Sequence, residues 1–377
     1  MNAVTNVQPV RSEFRLGHNR ALDGLRGVAV AVVVVSHADI IRRVFGAIAV
    51  DVFFVLSGFL ITCLLVKEWD KTNSISFKNF YIRRALRLLP ALIVLLVVFI
   101  SYKYVTAPAP QAVACAYEAL RALFYVTNWS IVYYYGHTDY LGHTWSLSVE
   151  EQFYLLWPVI LLVLLPRISR SALFCWLALG AFLSCLGRTL LYIGANASAY
   201  RLLYSTDTRA DALLLGCMLG LGLTSDLLPK DTRGTGILNY VSLVSAAGLV
   251  SLGFLPEFPM YYLGWGLTSV FAVMIIMDLV TTRQGVLRSI LELPFLGYLG
   301  RISYGLYLWH NPIFRAIQDQ HWPWWINAAV GIPVTTGATL ASYYLVEKPC
   351  LRLKKRFQTA ATPADGLARQ PVAEVEA

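Results

Sequence analysis

An arginine and a histidine separated by ten residues, Arg26 and His37, stand in a stretch that opens Leu22-Asp23-Gly24-Leu25-Arg26-Gly27 and closes, after a run of valines, on Ser36-His37. Inside a bilayer an ionisable side chain is costly and lies in a polar cavity, so each one is a candidate for function. On a helix rising about 1.5 Å per residue, His37 lies roughly 16 Å further along the axis than Arg26. A cation at the membrane surface and an imidazole near mid-depth suit the movement of an activated group from an anionic carrier to a buried acceptor. A surface-anchoring arginine and a histidine hydrogen-bonded between helices fit the same spacing.

Other polar residues fall into two layers. Arg83, Arg84 and Arg87 lead into a later apolar run. Arg84 and Arg87 are three apart, share a helix face and could grip one phosphate between them, or serve only as surface anchors. Trp145-Ser146-Leu147-Ser148-Val149-Glu150-Glu151 opens another apolar run. Adjacent carboxylates point about 100° apart on a helix, so at most one of Glu150 and Glu151 faces a given cavity squarely. Acidic residues also suit a helix N-terminus for purely structural reasons. In Asp207-Thr208-Arg209-Ala210-Asp211 the two aspartates flank an arginine that either could neutralise, which reads as a structural network. Ser57-Gly58 is a small pair that permits close helix approach or ligand access. Aromatic packing accounts for most of the segment Gly300 to His310, but not for the deep imidazole of His310.

The elements that must position these residues are membrane spans. The 377 residues are 57% hydrophobic, against about 45–50% in soluble domains. Apolar runs of about 20 residues follow one another, each long enough to cross a bilayer. The expected fold is all-α: a polytopic transmembrane helical bundle. About eleven runs qualify by length, and charge demotes 114–134, which carries Glu118, Arg121 and Asn128. About ten spans with both termini cytoplasmic then place most basic loops on one side, as the positive-inside bias requires; Arg42, Arg43, Arg121 and Arg201 fall on the other. The expected organisation is an N-terminal tail over 1–20, a membrane domain over 21–350, and a basic, then disordered, cytoplasmic tail over 351–377. No cleavable signal peptide is evident. The net charge of +9 gathers beside the spans, which argues against nucleic-acid binding. The six cysteines show no paired or metal-ligand spacing and read as small hydrophobes, so no metal is expected.

Taken in order, the motifs resemble acyltransferase family 3, the integral-membrane acyltransferases that modify carbohydrates and other hydroxyl-bearing acceptors in bacteria. The resemblance runs over roughly residues 20–350. It rests on Leu22-to-Gly27 with His37, Asp51-Val52-Phe53-Phe54-Val55-Leu56-Ser57-Gly58-Phe59-Leu60, Arg84-x-x-Arg87, and Thr144-to-Tyr154. Arg209-Ala210-Asp211-Ala212, Ser303-to-His310 and Glu347-Lys348-Pro349 complete it. It implies a bacterial inner-membrane enzyme with ten core helices and a cytoplasmic acyl-coenzyme A donor, acetyl by default. It also makes Arg26, His37, Arg84 and Arg87 the essential positions. The soluble esterase-like domain of some relatives has no counterpart here, so a stand-alone form is expected.

On this reading Arg84, Arg87 and Arg26, with Ser57 alongside, hold the donor. The pantetheine arm threads from Arg26 toward His37. His37, with a reference pKa near 6.5, is the general base for the acceptor hydroxyl, a role that contributes about 10²–10⁴-fold. Glu150 or Glu151 orients the imidazole, by analogy with hydrolytic triads. Arg209, Asp211 and His310 form a structural polar network. Direct attack and an acyl-enzyme relay both remain open. The acceptor is a cell-surface or exported carbohydrate or a glycolipid, with exopolysaccharide, O-antigen and peptidoglycan all fitting. A proton-coupled secondary transporter would use similar intramembrane residues, but its related halves are not seen. A non-catalytic scaffold leaves the arginines and the buried histidine unexplained.

Overall fold

A computed structural model describes residues 17–134, 140–230, 236–256 and 260–354, and every regular element among them is helical. Most of both expected tails lies outside the described residues. Helix α1 (Arg20–His37) is capped by Asn19, whose side chain accepts from the Ala21 and Leu22 amides and so satisfies two orphan donors. Helix α2 (Arg43–Thr72) ends on Asn73 in the left-handed conformation (φ 50°), a residue type that tolerates it. Helix α3 (Phe77–Thr106) follows, also 30 residues long.

Region 114–134 does not form one span. It is split into α4 (Ala109–Leu123) and α5 (Thr127–Tyr133), with Tyr125 between them at φ 54°. At 15 and 7 residues both fall short of the roughly 20 needed to cross. Then come α6 (Trp145–Leu164), α7 (Arg170–Ala195), α8 (Ala199–Tyr204), α9 (Ala210–Thr224), α10 (Ile237–Leu252) and α11 (Trp265–Thr281). Short α12 (Val286–Leu291) and α13 (Pro294–Arg301) precede α14 (Ser303–Gln318). The chain closes with α15 (Trp324–Ser342), a π-turn over Tyr343–Glu347, and α16 (Lys348–Lys354).

Among the described residues, six helical stretches are long and apolar enough to cross a membrane: α2, α3, Gly142–Leu164, α7, Met260–Thr281 and Trp324–Leu353. Other expected spans correspond to shorter or more charged elements. Helix α1 carries Arg20, Asp23 and Arg26 within 18 residues, α9 has 15 residues, and α10 and α14 have 16 each. The helical run from Pro294 to Gln318 is interrupted at Ile302, between α13 and α14. Leu155, Leu156, Val159 on α6 and Phe182, Leu190, Ile193 on α7 are exposed, a contiguous apolar exterior of the kind that faces lipid.

Helices α2 and α9 are in backbone contact at the centre of the bundle. A Cβ on Gly58 would lie 2.1 Å from the Leu213 carbonyl oxygen, and one on Gly216 2.1 Å from that of Val55. Small residues at both crossing points allow this approach, as in other membrane interfaces. The packing role of Gly58 was legible in the sequence. The consequence for the site is that Asp51 and Ser57 on α2 are held at fixed depth against the rest of the bundle.

Candidate active site

Two cavities open along α1, one at Arg26 and one at its C-terminal end, around His37. The first, about 210 Å³, is lined by Arg26, Ser57, Arg84, Arg87, Glu150 and Ser303, with neighbours. Arg84 Nη2 and Nε donate to Glu151 Oε1 at 2.6 and 2.8 Å. Its guanidinium also lies over the Tyr154 ring, 3.1 Å from the centroid. Glu150 Oε1 accepts from Ser57 Oγ at 2.5 Å and from the Tyr154 hydroxyl at 2.6 Å, and stands 3.6 Å from Arg84. Arg26 donates to Ser303 Oγ at 3.0 Å, with Asp23 4.0 Å away. Arg87 is exposed and has no hydrogen bond or ion pair among the described residues.

This arrangement corrects two expectations. Glu150 and Glu151 do not orient His37; α6 starts at the His37 cavity with Trp145, but more than a turn further along both carboxylates lie against Arg84 of α3. Arg84 and Arg87, though one turn apart, are not an equivalent pair. Arg84 is neutralised by carboxylates in direct contact, whereas Glu347 and Glu151 act on Arg87 only from beyond ion-pair distance.

The second cavity, about 560 Å³, holds His37, His143, Tyr307, Asn311 and Arg315 in its wall. His37 Nδ1 is 2.9 Å from the Val33 carbonyl oxygen one turn back. A carbonyl only accepts, so Nδ1 carries the proton and Nε2 keeps a lone pair. The orienting partner of His37 is therefore backbone of its own helix. His310 is held in the same tautomer, with Nδ1 2.7 Å from the Tyr307 carbonyl oxygen. The His37 and His310 rings meet edge to face at 4.8 Å between centroids, and His143 meets His310 likewise at 5.1 Å. His310 thus belongs with His37, not with a network around Arg209 as the sequence suggested. Nothing in the sequence singled out His143, though it directly precedes the Thr144-to-Tyr154 motif.

Val50 and Tyr307 line both cavities. The Tyr307 hydroxyl donates to the His143 carbonyl oxygen at 2.6 Å. Its lone pairs are then free to accept from Ser146 Oγ at 2.5 Å.

Behind the second cavity lies a layer of buried ion pairs. Arg209 pairs with Asp51 of α2, not with Asp207 or Asp211. Asp211 pairs with Arg188 of α7 at 2.8 Å, and Asp207 with Arg201 at 2.5 Å. Arg209 and Arg188 are 1% and 0% exposed, so each requires its aspartate to offset desolvation. The sequence expectation of a local Asp207–Arg209–Asp211 network is replaced by pairs that tie α9 to α2 and α7.

One cavity lined by Arg26, Arg84 and Arg87 and another holding His37 thus open on the same helix of a bundle with several helices long and apolar enough to cross a membrane. The family described as an acyltransferase domain matches residues 19–347, and the chain belongs to it: acyltransferase family 3. The peptidoglycan O-acetyltransferase OatA of Listeria monocytogenes is 35% identical over 308 residues, covering 78% of this chain and 49% of the relative. A Bacillus subtilis protein provisionally named as a peptidoglycan O-acetyltransferase, YrhL, is 33% identical over 348 residues, covering 87% of this chain and 54% of the relative. The chain spans about half the length of these curated relatives. No solved structure matches it.

Proposed function

We propose that this chain moves an acyl group, acetyl by default, from a cytoplasmic acyl-coenzyme A to a hydroxyl of a cell-envelope glycan, with peptidoglycan the acceptor its relatives' names favour. The observation that carries this reading is the placement of Arg26 and His37 about three turns apart on α1, each in the wall of a separate cavity. Arg87 and Arg26 have charge available for the donor's phosphates, which charge-assisted hydrogen bonds would hold. Arg84, already paired, shapes the cavity through Glu151 and Tyr154. Ten spans with both termini cytoplasmic accompany this reading, since they put Arg26, Arg84 and Arg87 on the donor side.

In the transfer step the acceptor hydroxyl gives its proton to His37 Nε2 while its oxygen attacks the thioester carbonyl. The C–S bond breaks, and the imidazolium returns the proton to the leaving thiolate. A thioester is already activated, so the base is needed chiefly for the poorly nucleophilic hydroxyl. His310 packs on the face of His37 and fixes the ring for this exchange.

The test is transfer of labelled acetyl groups from acetyl-coenzyme A to glycan strands in membranes, wild type beside His37→Ala. The variant should lose at least about 10²-fold in turnover while donor binding survives. Near-normal turnover in the variant would remove His37 as base. Absence of donor consumption by wild type would return the transporter reading to first place.

A further inference from the structure

The cavity around His37 is cationic. Arg42, Arg43 and Arg315 line it, and no aspartate or glutamate among the described residues does. Two of these arginines are engaged elsewhere. Arg43 Nη2 is paired with Asp39 at 2.8 Å, and Arg42 Nη1 donates to the Gly253 carbonyl at 2.9 Å. Arg315 makes no hydrogen bond or ion pair among the described residues, and its Nε is buried without a partner. Such a charge, facing a cavity in a low-dielectric bundle, is costly unless a ligand completes it.

Its placement is ordered. Tyr307, Asn311 and Arg315 are spaced by four residues on α14, share one face, and all line the cavity. Asn311 is fixed by donating to the Tyr140 carbonyl at 2.7 Å. Trp145, Tyr204 and Trp265 add flat apolar surfaces to the same wall. Arg209 lies behind Trp265 but is already neutralised by Asp51, so it adds no free charge. Two of the arginines that sit awkwardly against the positive-inside bias, Arg42 and Arg43, thus line this pocket.

We infer that this cavity receives a glycan bearing a carboxylate near its acceptor hydroxyl, and that Arg315 is the residue that recognises the carboxylate. The planar guanidinium matches a carboxylate in a two-point fork, and the aromatic walls suit the apolar faces of a sugar ring. The inference rests on the acyl-transfer reading in taking the cavity as the acceptor site, and it adds the chemical class of acceptor. Neutral glycans would leave Arg315 uncompensated and bind less well.

The experiment uses the full chain in lipid nanodiscs, with a muramic-acid-containing disaccharide and its methyl ester as probes. Binding is read by tryptophan fluorescence, with acetyl transfer from acetyl-coenzyme A measured in parallel. Wild type should bind the acid about ten-fold or more tightly than the ester, and added salt should narrow the gap. Arg315→Gln should bring the two affinities together, and Arg315→Lys should restore part of the preference. Equal affinities in wild type, or an intact preference in Arg315→Gln, would overturn the inference. If the glutamine variant does not fold, the acid-against-ester comparison in wild type decides alone. Charge-selective binding without transfer would sink the acyl-transfer reading only; transfer to both probes with equal binding would sink this inference only.

Discussion

Arg84 and Glu151 join α3 to α6 through a two-point ion pair, with Tyr154 stacked beneath the guanidinium. Both side chains are 17% exposed, so the pair is largely withdrawn from solvent. Removing one partner strands the other charge, and that, more than the lost contact, sets the cost. Glu151→Gln and Arg84→Gln should each destabilise the protein by about 2–3 kcal/mol, discounted from fully buried values for partial exposure. The double variant should be less destabilised than the sum of the two. Thermal unfolding in detergent, followed by size-exclusion chromatography, measures all three. Additive losses would mean that the pair contributes no coupling.

Arg87 differs from Arg84 in making no direct ion pair among the described residues. Its substitution should act on donor binding and leave the fold intact. Arg87→Gln is expected to raise the donor KM about ten-fold, with kcat and melting temperature little changed, and to weaken the salt dependence of KM. Steady-state kinetics at low and high ionic strength reads this. A fall in kcat at constant KM would place Arg87 in the chemical step instead.

The contact between α2 and α9 leaves no room for a methyl group on Gly58, whose nearest neighbours are backbone atoms of Leu213 and Cys217. Gly58→Ala should force the helices apart, cost about 1–3 kcal/mol and lower activity by displacing Ser57. Gly187→Ala is the control, since nothing lies within 4 Å of its added Cβ. Equal melting temperatures for the two variants would show that the crossing point tolerates widening.

The sequence made the helical bundle legible because apolar runs of spanning length have few other solutions. It marked Arg26 and His37 because charge inside such runs is costly. It misassigned the partner of Arg209 through a neighbour rule and that of the two glutamates through a triad analogy, and neither device sees which helices the fold brings together. Neighbour rules on a helix reach three or four residues, whereas Arg209 and Asp51 are 158 residues apart and Arg84 and Glu151 are 67 apart. Arg188 was passed over inside an apolar run, although a lone arginine there already required an acidic partner from another helix. His143 and Arg315 carried no local signal of their own; only the folded bundle brings them to His37.

Tyr307 and Val50 are shared by the walls of both cavities, with the Tyr307 hydroxyl bonded to the His143 carbonyl on one side and Ser146 on the other. These side chains form a septum. A charge crossing this wall in a membrane at 100 mV would meet about 2.3 kcal/mol. An uncharged acyl group feels none of that field, whereas a proton or a sodium ion would meet all of it. On the proposed reading, the group handed past this wall is one on which the membrane potential does not act.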